Sequence, residues 1–257
     1  MLDVEAAIGK AVLDPELRKR AAKLMASLID DGALNVSDRA PDSLRGSDMG
    51  RCTLDLWYEI HGFDRLPRDV RTQYCALDPG SILGAWAGAL LKASIEADGG
   101  YVELEKTCSY RGMPGHIDAF VTYNDESTVV DFKHAMGAYD ASPPDKENRK
   151  NLDGMSKSYN IYQVIGYAMD PTLLPRPKYA VVCQINPGSR KKWIHAEAYS
   201  VADWEDRTDI EIERLQRALE PEVPEGDPQQ AWRCELCQAF QCPRNPQHSL
   251  VISEASF

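Results

Sequence analysis

The stretch Gly115 to Gly137, GHIDAFVTYNDESTVVDFKHAMG, constrains the fold more than any other part of the chain. Two apolar-rich runs flank the polar NDES, whose residue types favour tight turns, so the stretch predicts an antiparallel hairpin. Side chains alternate between faces along a strand. Strict alternation puts His116, Asp118, Phe120 and Thr122 on one face of the first strand, and Ile117, Ala119, Val121 and Tyr123 on the other. In the second strand Val129, Asp131 and Lys133 share a face against Val130 and Phe132. Closure about Asp125 and Glu126 sets Lys133 opposite Asp118 and Phe120 opposite Asp131, with Asp131 the diagonal neighbour of Asp118. Two carboxylates and an ammonium then emerge together, within reach of a shared ion. The plainer alternative is a solvent-facing hairpin whose Asp–Lys pair is worth roughly a few tenths of a kcal/mol. It accounts for none of the features below.

The rest of the chain supplies helices to cover such a sheet. Val4, Ala7, Ile8, Ala11 and Val12, then Leu17, Ala21, Leu24 and Leu28, make apolar stripes over the first thirty residues. A loop rich in Gly, Asp and Ser follows, then a short helix from about Cys52 to Ile60 and another near Arg68 to Cys75. SILGAWAGALLKASIEADGG is a strong helix: Ile82, Trp86, Ala89, Leu90 and Ala93 recur at helical spacing, and Gly99-Gly100 ends it. YVELEKTC, HIDAFVTY and TVVDFK read as three successive strands. The polar segment GAYDASPPDKENRKNLDGMSK separates them from a helix over Tyr159 to Met169. KYAVVCQI and KWIHAEAYS resume strand character, VADWEDRTDIEIERLQRALE is an amphipathic helix, and the remainder is punctuated by proline and cysteine. This order predicts an α/β protein with a mixed central sheet flanked by helices. Its expected divisions are a helical segment and loop over 1–50, the core over 51–220, and a cysteine-bearing segment over 221–257.

Charge and composition narrow the function. A 43% hydrophobic content supports a real core, and no run is long enough to span a membrane. Charges in MLDVEAAIGKAVLDPELRKR interrupt what would be the apolar part of a secretion signal, so a soluble, cytoplasmic protein is expected. Seven cysteines in such a chain point to metal binding or small core residues rather than disulfides. A formal net charge of −11 argues against coating nucleic acid by bulk electrostatics. Local basic tracks around Arg149, from Arg176 to Lys178 and from Ser189 to Trp193 remain compatible with a nucleic acid path. The chain has no G-x-x-x-x-G-K-[ST] sequence, so any ATP hydrolysis would come from a helicase or recombination partner.

The ordered set of a helix, a strand, Gly115-His116-Ile117-Asp118 on a strand, Asp131-Phe132-Lys133 on its neighbour, and Gln163-Val164-Ile165-Gly166-Tyr167 on a helix resembles the RecB-like branch of the PD-(D/E)xK nucleases. The similarity spans roughly Cys52 to Cys242. It implies a restriction-endonuclease-like fold and hydrolysis of DNA phosphodiester bonds at ends or in single strands, during recombination, repair or phage DNA processing. By that resemblance Asp118 and Asp131 bind Mg²⁺ or Mn²⁺, Lys133 is catalytic, and Gln163 and Tyr167 lie beside the active site and orient DNA or the catalytic groups. The residue types suit the chemistry. Carboxylates offer hard oxygen ligands, the ion polarises a phosphoryl oxygen, and an ammonium offsets charge developing in the transition state. One departure stands out: the helix before the first strand, GAWAGALLKA, lacks the His or Glu that usually joins the metal shell. Glu96, Glu105, His116 and His61 are the substitutes in the sequence. Glu105 is favoured, because Glu103, Glu105 and Thr107 alternate on one strand face.

The cysteines carry a second resemblance. Cys234, Cys237 and Cys242 form C-x2-C-x4-C after the core, and Cys52 lies alone before it. That layout is similar to the iron–sulfur CRISPR-associated exonuclease family and its phage-encoded relatives. It implies a [4Fe–4S] cluster joining the two ends of the chain. A zinc site with the same four ligands is the alternative. Cys75, Cys108 and Cys183 sit in apolar contexts and read as small core residues, with Cys75 in reserve as the fourth ligand. Readings from other classes stay open: a catalytically weakened DNA- or protein-binding module on the same fold, or a zinc-stapled protein that is no nuclease.

Overall fold

The computed structural model describes residues 1–30, 43–63, 79–134, 158–185, 193–226 and 242. The helices are α1 (Val4–Leu13), α2 (Pro15–Asp30), α3 (Thr53–Ile60), α4 (Pro79–Ala97), α5 (Ser158–Ala168) and α6 (Val201–Gln216). The strands are β1 (Tyr101–Tyr110), β2 (Met113–Tyr123), β3 (Glu126–His134), β4 (Tyr179–Ile185) and β5 (Ile194–Ser200). The chain forms two compact units, one of Met1–Ser37 and Leu77–Thr208, the other of Asp38–Ala76 and Asp209–Phe257. The expected helix near Arg68 to Cys75 lies outside the described residues.

The first unit is built on a five-stranded sheet in the order β1-β2-β3-β4-β5. All neighbours are antiparallel except β3 and β4. A parallel pair needs a crossover, and α5 lies between β3 and β4 in the chain. Alternation along the central strands feeds two cores. Val130, Phe132, Val181 and Cys183 pack in one cluster with Ile8 of α1, Ala21 of α2 and Leu90 of α4. Val129, Ala180 and Val182 pack in the other with Ile161, Val164 and Ile165 of α5 and with Trp204. The helical character expected over the first thirty residues is divided between α1 and α2 at Asp14-Pro15. The Asp14 carboxylate accepts from the Glu16 and Leu17 amides (2.8 and 3.2 Å), and proline fits the first turn of α2. This mixed sheet between helical layers is compatible with the restriction-endonuclease-like fold that the motifs imply.

Two tight turns set the strand registers. Arg111-Gly112 joins β1 to β2 and Asn124-Asp125 joins β2 to β3, and all four residues have left-handed backbone. A two-residue hairpin turn of this kind matches the strands' right-handed twist. The second turn corrects the expected closure about Asp125 and Glu126. Asn and Asp tolerate the left-handed conformation, so they form the turn, and Glu126 becomes the first paired residue, opposite Tyr123. Phe120 therefore pairs with Val129, not Asp131, and Lys133 is not level with Asp118. The register moves by two residues. On β3 this leaves every side chain on its expected face.

The second unit ties together segments far apart in sequence. Arg51 makes ion pairs with Asp48, Asp55 and Glu59 (3.1, 2.6 and 2.7 Å). Arg214 donates to the Arg51 carbonyl (2.7 Å) and to the Thr53 hydroxyl (2.9 Å). The Gly50 amide donates to Glu211 (2.8 Å), and the Trp57 indole to the Glu220 carbonyl (3.0 Å). The chain following α6 is thereby held to the chain around α3. Among the described residues, no helix is long and apolar enough to cross a membrane.

Candidate active site

The site begins where strict alternation fails. On β1, Val102 and Leu104 pack with the α1/α4 core, whereas Cys108 and Tyr110 pack with the α5 core. On β2, Ala119 and Val121 belong to the first core, but Ile117 joins Phe120 in the second. Both strands change sides at one rung, Glu105 on β1 and Asp118 on β2, without adding a residue to either strand. Glu105 is the residue that permits it, with a left-handed φ of 51°. A non-glycine residue held there is strained, and such strain collects at functional sites. The expectation that Ile117 faces away from Phe120 is thus corrected, and the cause is a backbone conformation that no periodicity encodes.

The same rung ends the pairing of β2 with β3. Their ladder runs from Tyr123–Glu126 to Ala119–Val130 and stops, while β3 continues beside β4 through His134. One rung further, Asp118 comes level with Asp131. There the Phe132 amide donates to Asp118 Oδ2 (2.5 Å), so the side chain of Asp118 replaces a strand acceptor. Lys133 Nζ lies 3.1 Å from Asp131 Oδ1 and 2.9 Å from Oδ2. Only Oδ1 accepts a well-directed hydrogen bond, and buried Oδ2 has no hydrogen-bond partner despite its proximity to the ammonium. The Asp131 side chain is 3% exposed and that of Lys133 27%, so the pair meets solvent through the ammonium.

The α5 helix completes the set. Lys133 Nζ donates to Gln163 Oε1 (3.0 Å), and Gln163 Nε2 donates to the Tyr167 hydroxyl (2.8 Å). An ammonium can only donate, so it fixes which way the Gln163 amide points. Gln163 and Tyr167 are four apart and share a helix face. The Tyr167 ring is buried in the α5 core.

Burial governs the protonation of these groups. It raises the Asp118 carboxyl well above the ordinary aspartate range, helped by the Asp131 charge and opposed by Lys133 and the Phe132 amide. Asp131 is raised by burial against the pull of Lys133. For Lys133, burial works to lower the ammonium, but Asp131 and Asp118 outweigh it and the net shift is upward. Burial pushes Glu105 up to about 7 and raises the Tyr167 hydroxyl. For these three carboxyls burial is the main cause, and at Asp118 the Asp131 charge adds to it.

Glu105 contributes to the electrostatic surroundings of Asp118. Its rivals differ. Glu96 is engaged by Arg20 and Lys92 (both 2.5 Å), His116 is exposed, and His61 lies in the second unit, hydrogen-bonded to the Trp57 carbonyl (3.0 Å). Among the described residues, no three His, Cys, Asp or Glu side chains converge as a finished coordination sphere. Two carboxylates, one of whose oxygens accepts no well-directed hydrogen bond, nevertheless fit Mg²⁺ or Mn²⁺. Such an ion is commonly held by one or two carboxylates, with water and substrate phosphates completing its shell.

In the second unit, Cys52 and Tyr58 pack against a small cluster of Leu54 and Cys242. Cys234 and Cys237 lie outside the described residues, as do Cys75 and Arg149. Cys108 and Cys183 are buried core residues. The sequence did not single out Phe132 as a site residue. Its backbone amide matters, and no side-chain pattern signals that.

No family model matches the sequence, and no curated protein matches it. Solved structures similar to the chain include the crystal structure of SSO0001, at 15% identity and a TM-score of 0.47, covering 87% of this chain and 96% of that one. Another is an alkaline exonuclease from Laribacter hongkongensis, at 12% identity and a TM-score of 0.32, covering 69% of this chain and 90% of that one. Both scores lie below 0.5, so the reading of the site rests on its own residues.

The carboxyls set a pH dependence. Glu105 in an unfolded chain ionises near the ordinary glutamate value of about 4.3, whereas in the fold it holds its proton to about 7. Between those values the native state binds more protons, so stability present at low pH is lost as pH rises through about 7. In chelator, the melting temperature is expected to fall between about pH 4 and 7, and Glu105→Gln to flatten that fall. Thermal melts of both proteins across the range check this, and identical profiles would contradict it.

Proposed function

We propose that the chain is a metal-dependent deoxyribonuclease of the PD-(D/E)xK type, acting on DNA ends or single strands. The observation that carries this reading is the convergence of half-buried Asp118 and buried Asp131, carboxylates on neighbouring strands, with Lys133, whose ammonium is paired to Asp131 and reaches solvent. A purely structural ion pair does not call for the second acid beside it. Asp118 and Asp131, with Glu105 contributing charge and an oxygen donor, are the residues that would hold Mg²⁺ or Mn²⁺. When bound, the ion polarises a phosphoryl oxygen and lowers the pKa of a coordinated water.

The chain's own residues do the rest. The Lys133 ammonium offsets negative charge that grows on the phosphoryl group, and partial burial makes that interaction stronger than it is in water. Gln163 holds the ammonium toward the carboxylates, and the Tyr167 hydroxyl holds Gln163. DNA is the substrate partner this chemistry fits, in recombination, repair or phage DNA processing, with a separate helicase or recombination protein supplying any ATP hydrolysis.

Purified protein with Mn²⁺ or Mg²⁺ is expected to shorten end-labelled DNA, and chelator to stop it. Lys133→Met, which keeps the aliphatic stem, should lower the rate by roughly 100-fold to 1,000-fold while the protein stays folded by circular dichroism. Full activity in that variant would remove Lys133 from the chemistry.

The cysteines complete the proposal. Cys52 and Cys242 meet in one small cluster from opposite ends of the sequence, which favours a shared metal group there. Together with Cys234 and Cys237 they would hold a [4Fe–4S] cluster, whose contribution is to join the chain's ends and add folding free energy. Zn²⁺ in the same ligand set is the alternative. Protein purified without oxygen should be brown, with visible absorbance and matching iron and sulfide content, and Cys242→Ser should lose both the colour and thermal stability. Colourless protein containing zinc would select the alternative.

A further inference from the structure

Gly115 stands three residues before Asp118, with nothing in the nuclease chemistry to occupy it. Glycine is often kept for a left-handed backbone, and Gly50, Gly62, Gly99 and Gly112 have positive φ, but Gly115 does not. Conformational freedom therefore does not explain it, and space does. A Cβ at position 115 would lie 2.3 Å from Tyr167 Cε1, 2.9 Å from Cζ and 3.1 Å from Cδ1. The first distance is far inside van der Waals contact, and the atoms met belong to a buried ring with little room to swing. Gly115 pairs with Cys108 on β1, in the half of β2 that has parted from β3. The edge of the Tyr167 ring rests on the bare backbone there.

We propose that Gly115 is a positioning residue for Lys133. It seats the Tyr167 ring, the ring's hydroxyl holds Gln163, and Gln163 holds the ammonium beside Asp131. A methyl group at 115 displaces the ring along the strand and draws the hydroxyl off Gln163, whose Oε1 then no longer restrains Lys133. The link is steric at one end and hydrogen-bonded at the other, and it runs along the face of α5 that Gln163 and Tyr167 share. The catalytic consequence rests on the nuclease reading, but the seating itself does not.

Two readouts separate these. One is the rate at which Lys133 is acetylated by acetic anhydride, followed by mass spectrometry, and the other is DNA-end digestion with Mn²⁺. Gly115→Ala should raise the Lys133 acetylation rate several-fold. It should lower kcat by about 10-fold to 100-fold, as misplacement of a reacting group does, with KM for DNA within about twofold of wild type. Tyr167→Leu, which removes the ring and leaves Gly115 alone, should speed acetylation similarly. The double variant Gly115→Ala/Tyr167→Leu should match Tyr167→Leu in both readouts, because without the ring the methyl group has nothing to displace. If Gly115→Ala does not fold, recovery of folding in the double variant supports the seat, and failure to recover overturns it. A folded Gly115→Ala protein with wild-type acetylation overturns it, as does the same loss in the Tyr167→Leu background. Should wild-type protein digest no DNA while acetylation follows the stated pattern, the nuclease reading falls and the seat stands.

Discussion

The contact between Lys133 and Asp131 is the constraint on which the rest of the site depends. A carboxylate 3% exposed in the middle of a sheet is costly unless a cation attends it, and the lysine two residues along the same strand is that cation. Such a pair is not by itself a source of stability, since desolvation can cancel the attraction. Its cost rises further because Asp118, level with it on β2, is a second, half-buried acid. Two acids and one ammonium leave a deficit of positive charge. Burial raises the carboxyls of Asp118, Asp131 and Glu105, and at Asp118 the neighbouring Asp131 charge adds to it.

The backbone cooperates with this arrangement. β2 pairs with β1 on both sides of the Glu105–Asp118 rung but with β3 only as far as Ala119–Val130, and beyond that rung α5 supplies Gln163 and Tyr167. At the rung of left-handed Glu105 and Asp118 both β1 and β2 turn over, so the side chains on either side of it face different cores. Phe132 anchors the centre. Its ring contributes to the α1/α4 core, near Gly84 and Gly88 of α4, while its amide holds Asp118.

Much of this was legible in the sequence because it follows from period and residue type. The three strands, the face shared by Val129, Asp131 and Lys133, and the helix bearing Gln163 and Tyr167 all come from alternation and helical spacing. The register did not, because NDES allows two turn centres and the choice depends on which residues accept left-handed backbone. The division at Asp14-Pro15 was masked by an apolar stripe that continues on both sides of it. The face change at Glu105 and Asp118 has no pattern at all, since strain imposed by the surrounding fold leaves no mark in a hydropathy profile. The packing of Cys52 against Leu54 and Cys242 accompanies the Arg51 and Arg214 network, which joins segments more than 150 residues apart, as in the hydrogen bond that Arg214 donates to the Thr53 hydroxyl at a separation of 161.

The central claim is that the charge deficit at Asp118 and Asp131 is the seat of a divalent cation. Calorimetric titration of Mn²⁺ into the wild-type protein and into Asp118→Asn and Asp131→Asn tests it most directly, because binding is read without any assumption about catalysis. The account predicts one saturable Mn²⁺ site in the wild type that is lost in each variant while both remain folded. Unchanged Mn²⁺ binding in the two variants, or no saturable site in the wild type, would contradict it.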